Sequence, residues 1–177
     1  TTQEGLPGIR IASRSLGQGM SVSIGAAQTK KLNDDEHLVY SLHGDGELQE
    51  GQNWEAIMYA GSKGIDNLIA TIDHNGQQID GATKEVMPLN NIKDKFTAFD
   101  WQVIEVNDGN DLDQVRNGLR KARQLTGKGK PTVMILNTVM GNGVDYMMHT
   151  HEWHGKAPDD ELLEKGLAQN PETLGDY

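Results

Sequence analysis

Two short apolar runs each end in a polar turn that carries a potential metal-ligating side chain. Leu38-Val39-Tyr40-Ser41-Leu42 leads into His43-Gly44-Asp45-Gly46-Glu47, and Leu68-Ile69-Ala70-Thr71-Ile72 leads into Asp73-His74-Asn75. Runs of this kind read as buried strands delivering side chains at their tips. A carboxylate from one tip, Asp45, and an amide oxygen from the other, Asn75, can share a hard cation, because Mg2+ and Ca2+ take oxygen ligands. Glycines at 44 and 46 let a diphosphate approach the backbone and accept hydrogen bonds from its N–H groups. Taken singly, each feature has a plainer reading. Gly44-Asp45-Gly46 alone is an Asx-type turn, and Asn75-Gly76 alone is a hairpin signal, weakened by the poor return strand Gln77-Gln78-Ile79-Asp80-Gly81.

The elements that must position these residues alternate along the chain. A turn-rich stretch, Gly5–Gly8, opens it. Ser15-Leu16-Gly17-Gln18 reads as a capping box with Ser15 as N-cap, and Leu16, Met20, Ile24 and Ala27 share one side of the helix that follows. The first strand is expected at 38–42. A helix follows the Gly-Asp-Gly loop, with Trp54, Ile57, Met58 and Gly61 at helical spacing. The second strand is expected at 68–72. A long connection from Gln77 to Asp100, with a short helix near 91–99, suits a cofactor or partner contact. A third strand is expected at 101–106 and an amphipathic helix at 110–125, with Leu112, Val115, Leu119 and Ala122 on one side. Pro131 opens a fourth strand at 132–138, and the tail from 158 to 177 reads as a polar helix and a loose end. This alternation predicts an α/β fold, a parallel sheet with helices on both faces. Ligands of such sheets bind beyond the carboxyl ends of the strands. Gly44–Gly46, Asn75 and the loop 140–154 would therefore share one edge.

Composition bounds the alternatives. The 177 residues, 36% of them apolar, can bury one sizeable core, so a single domain over 1–177 is expected. A net charge of −10 argues against nucleic acid as a partner, since phosphate backbones recruit basic surfaces. An anionic cofactor remains compatible only if a cation or local donors offset the repulsion. With no cysteine, there is neither a disulfide framework nor a thiolate metal site. No signal-like or membrane-length apolar segment occurs, and the expectation is a soluble, cytoplasmic protein with no membrane partner.

Gly44-Asp45-Gly46 with Asn75 thirty positions beyond Asp45 resembles the metal–diphosphate motif of thiamine-diphosphate enzymes. The wider run Gly44-Asp45-Gly46-Glu47-Leu48-Gln49-Glu50-Gly51, with Trp54-Glu55-Ala56 and Asp73-His74-Asn75-Gly76, narrows the likeness. It is similar to the diphosphate-binding domain of transketolases, most of all to the separate N-terminal subunit that some organisms encode. The match covers nearly the whole chain. The resemblance implies thiamine diphosphate and Mg2+ as cofactors, with Ca2+ able to substitute. It makes Asp45, Asn75 and the backbone carbonyl of Gln77 the protein ligands of the metal, and has Gly46 offer its N–H to the diphosphate. Leu16 and Ile79 would brace the middle of the cofactor, although ordinary core is the default for such residues. His154 would touch the diphosphate and stabilise charge developing on the substrate oxygen. Glu50 and Glu55, by default solvated charges, would lie at a dimer interface and couple two active sites. The implied activity is transfer of a two-carbon ketol unit between sugar phosphates. The implied partner is a C-terminal transketolase subunit or domain that carries the activating glutamate, so the chain alone is expected to be inactive.

Some features depart from that pattern. The chain starts at Thr1, without the family's opening section, which reads as a fragment, a processed product or a short form. Arg14 stands where the family carries Gly, and would either perturb the pocket or salt-bridge a phosphate. His149, His151 and His154 invite a zinc reading, but they follow a glycine-rich loop and no helix presents two of them on one face. Within the same chemistry, the alternatives are enzymes of the 1-deoxyxylulose-5-phosphate synthase or dihydroxyacetone synthase type. From another class comes a non-catalytic paralogue acting as a scaffold subunit. A Rossmann domain is disfavoured because no Gly-x-Gly-x-x-Gly follows a strand.

Overall fold

The computed structural model describes residues 8–12 and 15–170. Arg14 and the loose end of the tail lie outside the described residues. In chain order the elements are α1 (Gln18–Leu32), β1 (Val39–Gly44), a 3-10 turn (Glu47–Gln49), α2 (Gly51–Ser62), β2 (Leu68–His74), β3 (Gln77–Gln78) and β4 (Gly81–Ala82). There follow α3 (Thr83–Val86), α4 (Ile92–Ala98), β5 (Gln102–Val106), α5 (Leu112–Leu125), β6 (Thr132–Asn137) and α6 (Asp160–Gln169). β1, β2, β6 and β5 lie in that order in one parallel sheet, while β3 and β4 form a separate two-residue antiparallel ladder. No helix among the described residues is long and apolar enough to cross a membrane.

The period of two in the strands sorts the side chains into two layers. Leu68, Ala70 and Ile72 of β2 and Val133 and Ile135 of β6 pack with Met20, Ile24 and Ala27 of α1, Ile57 and Ala60 of α2 and Phe96 of α4. Ile69, Met134 and Leu136 face the opposite way, against Ala122, Val115 and Leu119 of α5. Buried on both faces, β2 and β6 read as continuous apolar runs, as central parallel strands do. Trp101 anchors the α4–β5 corner: its indole N–H donates to the Ile57 carbonyl at 2.9 Å, and its ring meets Phe96 edge-on at 5.2 Å.

Several sequence expectations are corrected. Strand β1 runs on through His43 and Gly44, because its ladder with β2 continues to Gly44 opposite Asp73. Ser15 is not the N-cap of α1. Helix α1 starts at Gln18 with Gly17 as N-cap at φ 83°, and no side chain caps it locally. The left-handed Gly17 interrupts the helical path from Ser15, and its N–H donates to Glu47 Oε1 at 3.0 Å, thirty residues away. Leu16 therefore precedes the helix and is exposed, as are Met58, which follows the buried Ile57 on α2, and Leu112, the first residue of α5. Helix α5 starts at Leu112, not at Asn110, because the Asp111 carboxylate caps the Asp113 and Gln114 N–H groups. The connection from Gln77 to Asp100 contains β3, β4 and α3 as well as the expected helix, α4.

Candidate functional site

The loops after β1 and β2 leave the same edge of the sheet side by side. The Asp45 N–H donates to the Asp73 carbonyl at 3.0 Å, extending the ladder by one step and leaving the Asp45 side chain 1% exposed. A carboxylate so deeply buried needs donors. Gly46 N–H meets its Oδ1 at 2.9 Å, and Gly76 N–H meets its Oδ2 at 2.8 Å. The Thr83 hydroxyl lies 3.5 Å from the same Oδ2. Burial pushes the Asp45 carboxyl above its ordinary range, and the Gly76 N–H draws it partly back. The Gly46 N–H, expected to face a diphosphate, is thus given to Asp45 in this structure.

The Gly76 contact joins the two loops, and Gly46 tightens the junction. A Cβ on Gly46 would stand 2.8 Å from the Gln78 Cβ and 3.7 Å from the Gln77 carbonyl oxygen. At φ −60° and ψ −37° the Gly46 backbone suits any residue, so glycine serves here for clearance. By contrast, a Cβ on Gly44 would meet nothing within 4 Å. Asn75 sits at the turn itself, its Oδ1 accepting the Gln77 N–H and its Nδ2 donating to Asp73 Oδ2, each at 2.8 Å. Asp45, Asn75 and Gln77 are therefore brought together, and they offer a carboxylate, an amide oxygen and a backbone carbonyl. This all-oxygen set is the kind that Mg2+ or Ca2+ takes. A cleft of about 180 Å3 opens beside Asp45, lined by His74, Thr83 and Lys84 among others.

The remaining candidates stand at varying distance from this centre. The Leu16–Gly17 peptide is gripped from both sides: Gln52 Nε2 donates to the Leu16 carbonyl at 3.1 Å, opposite the Glu47 contact. Glu47 also faces the buried His43 Nδ1 at 3.4 Å. Burial alone would raise the Glu47 carboxyl, but His43 and the Gly17 N–H outweigh it and hold it below its usual value. Ile79, at the turn between β3 and β4, is 65% exposed. Glu50 is the N-cap residue of α2, and Glu55 follows on that helix; both are exposed, as are Met58 and Tyr59 further along it. His154 is exposed in the loop after β6, its N–H donating to the His151 carbonyl at 2.8 Å. That loop packs on α6, with the Tyr146 hydroxyl on the Leu162 carbonyl and the Tyr146 ring against Trp153. His154 thus lies in a loop that follows a strand of the same sheet, and among the described residues it makes no contact with Asp45 or Asn75. Among the described residues no three His, Cys, Asp or Glu side chains form a metal-binding group, so the histidine run makes no zinc set.

Sequence reasoning missed Glu47 and Gln52 as supports of Leu16, and Asp73 as the neighbour of Asn75. The available signal for Asp73 was its place two residues before Asn75 at a strand tip. No local pattern points to the partnership of Glu47 with Gly17, which exists only after folding.

Comparison with known proteins bears on this geometry. Residues 2–175 match the family model described as transketolase, thiamine diphosphate binding domain. The chain is 38% identical over 169 residues to an apulose-4-phosphate transketolase subunit of Phocaeicola vulgatus, covering 96% of this chain and 59% of that protein. It is 36% identical over 162 residues to a 6-deoxy-6-sulfo-D-fructose transketolase subunit of a Clostridium species, covering 92% of this chain and 58% of that protein. The chain thus spans somewhat more than half the length of these relatives. Among solved structures, the transketolase of Campylobacter jejuni superposes with a TM-score of 0.80 at 30% identity, over 94% of this chain and 27% of that one. A Pichia stipitis transketolase in complex with sedoheptulose-7-phosphate gives 0.74 at 29% identity, over 82% and 22%.

Proposed function

The chain belongs to the transketolase family through its thiamine-diphosphate-binding domain, and on that premise we propose that it is the diphosphate-binding part of a ketol transferase. The reaction is movement of a two-carbon ketol unit from a ketose phosphate to an aldose phosphate. The observation that carries this reading is the 2.8 Å bond from Gly76 N–H to Asp45 Oδ2, which closes two strand-tip loops around one set of oxygen donors. Asp45, Asn75 and the Gln77 carbonyl would hold Mg2+, with Ca2+ able to replace it. Gly44, where an added Cβ would meet nothing within 4 Å, would leave open the space for the diphosphate, while Gly46 gives the clearance that lets the two loops meet. When bound, thiamine diphosphate supplies the carbanion chemistry, and the protein orients and polarises. Leu16 and Ile79, exposed in this chain, would close on the cofactor's middle. His154 would hold charge at the substrate oxygen once its loop reaches the edge of the site.

A partner subunit is part of the proposal. The relatives above are named as transketolase subunits. The cleft at Asp45, about 180 Å3, is smaller than the roughly 300–1,000 Å3 of ordinary ligand pockets. A C-terminal transketolase subunit would complete it, with Glu50 and Glu55 at the shared interface. The test is to mix the chain with such a subunit, thiamine diphosphate and Mg2+, and to assay two-carbon transfer over several ketose and aldose phosphates. Transfer by the mixture, absent from the chain alone and from a mixture containing Asp45→Ala, is the expected result. A cofactor-loaded complex with no transfer to any acceptor would favour a non-catalytic subunit instead.

A further inference from the structure

The orientation of one side-chain amide decides whether the proposed metal site has its second side-chain ligand. Asn75 presents an oxygen on one end of its amide and an NH2 on the other, and only the oxygen can ligate a hard cation. In this structure the amide lies between two partners that cannot exchange roles. The Gln77 N–H can only donate, and it meets Oδ1 at 2.8 Å. The Asp73 carboxylate can only accept when ionised, and its Oδ2 meets Nδ2 at 2.8 Å. A half-turn of the amide would set donor against donor and oxygen against carboxylate. Asp73 itself is tethered, because the Thr138 hydroxyl, just past β6, donates to its Oδ1. Its main-chain carbonyl also accepts the Asp45 N–H at 3.0 Å. One residue on β2 thus links the tips of three adjacent strands.

From this geometry we propose that Asp73, held by Thr138, is a positioning residue that keeps the Asn75 oxygen on the Gln77 side of its amide, available to join Asp45 in holding the metal. This inference rests on the metal-site reading above. Asp73 touches neither cofactor nor substrate in this role; it acts through the amide of Asn75. Partners of metal ligands that fix their orientation typically change metal affinity by about 10–100-fold when removed.

The experiment is a cycle of variants in the complex with the C-terminal subunit. Metal affinity is read by Mn2+ electron paramagnetic resonance, with thiamine diphosphate at a fixed saturating concentration. Asp73→Asn, nearly isosteric but able to pair with either end of an amide, is expected to weaken Mn2+ binding about 10–100-fold. Thr138→Val, which leaves the carboxylate in place but untethered, is expected to weaken it less, in the same direction. The deciding arm repeats Asp73→Asn in an Asn75→Asp background. A carboxylate at 75 has two equivalent oxygens and no orientation to fix, so the second substitution should then cost nothing or improve binding. Equal losses in both backgrounds would make Asp73 a general structural support or a direct ligand, and would overturn the proposal. Unchanged affinity in Asp73→Asn would overturn it too, while leaving the metal site standing as long as Asp45→Ala abolishes Mn2+ binding. Wild-type binding that Asp45→Ala does not affect would remove the underlying site, and this inference with it.

Discussion

Placing a methyl group on Gly46 tests how closely the two loops must approach. The added Cβ would stand 2.8 Å from the Gln78 Cβ. Carbon atoms in contact prefer about 3.5–4.0 Å, so the 77–78 segment must retreat by roughly 1 Å. Two routes are open, and both are costly. If the loops stay together, the overpacking costs about 1–3 kcal/mol. If the 76–78 loop retreats, the 2.8 Å bond from Gly76 N–H to the Asp45 carboxylate is lost. A hydrogen bond to a charged group is worth about 1.5–3 kcal/mol. Either way Gly46→Ala should destabilise the unliganded chain by about 2 kcal/mol, which lowers the melting temperature by about 4–8 °C at this chain length. The retreat also carries the Gln77 carbonyl away from Asp45, far beyond the roughly 0.2 Å tolerance of a metal–ligand distance, so metal-dependent cofactor affinity should fall at least tenfold. Gly44→Ala is the control. Its Cβ would meet nothing within 4 Å, so the unliganded chain should stay within about 0.5 kcal/mol of wild type. Urea titration followed by tryptophan fluorescence measures the stabilities, and calorimetry the affinities. Equal stability of Gly46→Ala and Gly44→Ala would refute the reasoning, since it assigns the two glycines different physical roles.

Two other substitutions to alanine should act with opposite signs. At Gly61 a Cβ would fall 1.8 Å from the Phe99 carbonyl oxygen, whereas at Gly25 it meets nothing within 4 Å. Gly61→Ala should cost about 1–3 kcal/mol despite its better helix propensity, and Gly25→Ala should gain up to about 1 kcal/mol; thermal melts of both would check the pair. Asp66 pins the turn before β2, accepting from Lys31 Nζ at 2.6 Å and the Gly129 N–H at 2.8 Å. Burial would raise its carboxyl, but Lys31 and the Gly129 N–H outweigh that and hold it below 3.8. A lowered folded value contributes stability above the unfolded value that is lost as pH falls through the folded one. Asp66→Asn should therefore cost about 1–2 kcal/mol at pH 7, and the gap from wild type should close below about pH 4 in urea titrations across pH.

The strand-tip geometry was legible in the sequence for a definite reason. Apolar runs such as Leu68–Ile72 admit little besides a central parallel strand, and a parallel sheet puts the residues that follow its strands on one edge. Asp45 and Asn75 could thus be brought together from element order alone, and the structure joins their loops through Gly76. What was not legible depends on contacts between distant segments. Ser15 and Gln18 spell a capping box, yet Gly17 takes the N-cap at positive φ with its N–H on Glu47, a partner that a local rule cannot see. Met58 and Leu112 match helical spacing but miss the core, Met58 because it follows Ile57 off the buried side of α2, and Leu112 because it is the first residue of α5, ahead of the buried stretch. Leu16, Ile79 and His154 fit motif positions, and all three are exposed in this structure. Spacing in a sequence does not report whether a site closes within one chain or across two.

The most direct test of the central account is calorimetric binding of thiamine diphosphate to the chain and its C-terminal partner subunit, with and without Mg2+, for wild type and Asp45→Ala. The account predicts binding that requires the metal and that Asp45→Ala abolishes while the fold persists. Binding that ignores both Mg2+ and Asp45, or no binding by a well-folded complex, would contradict it.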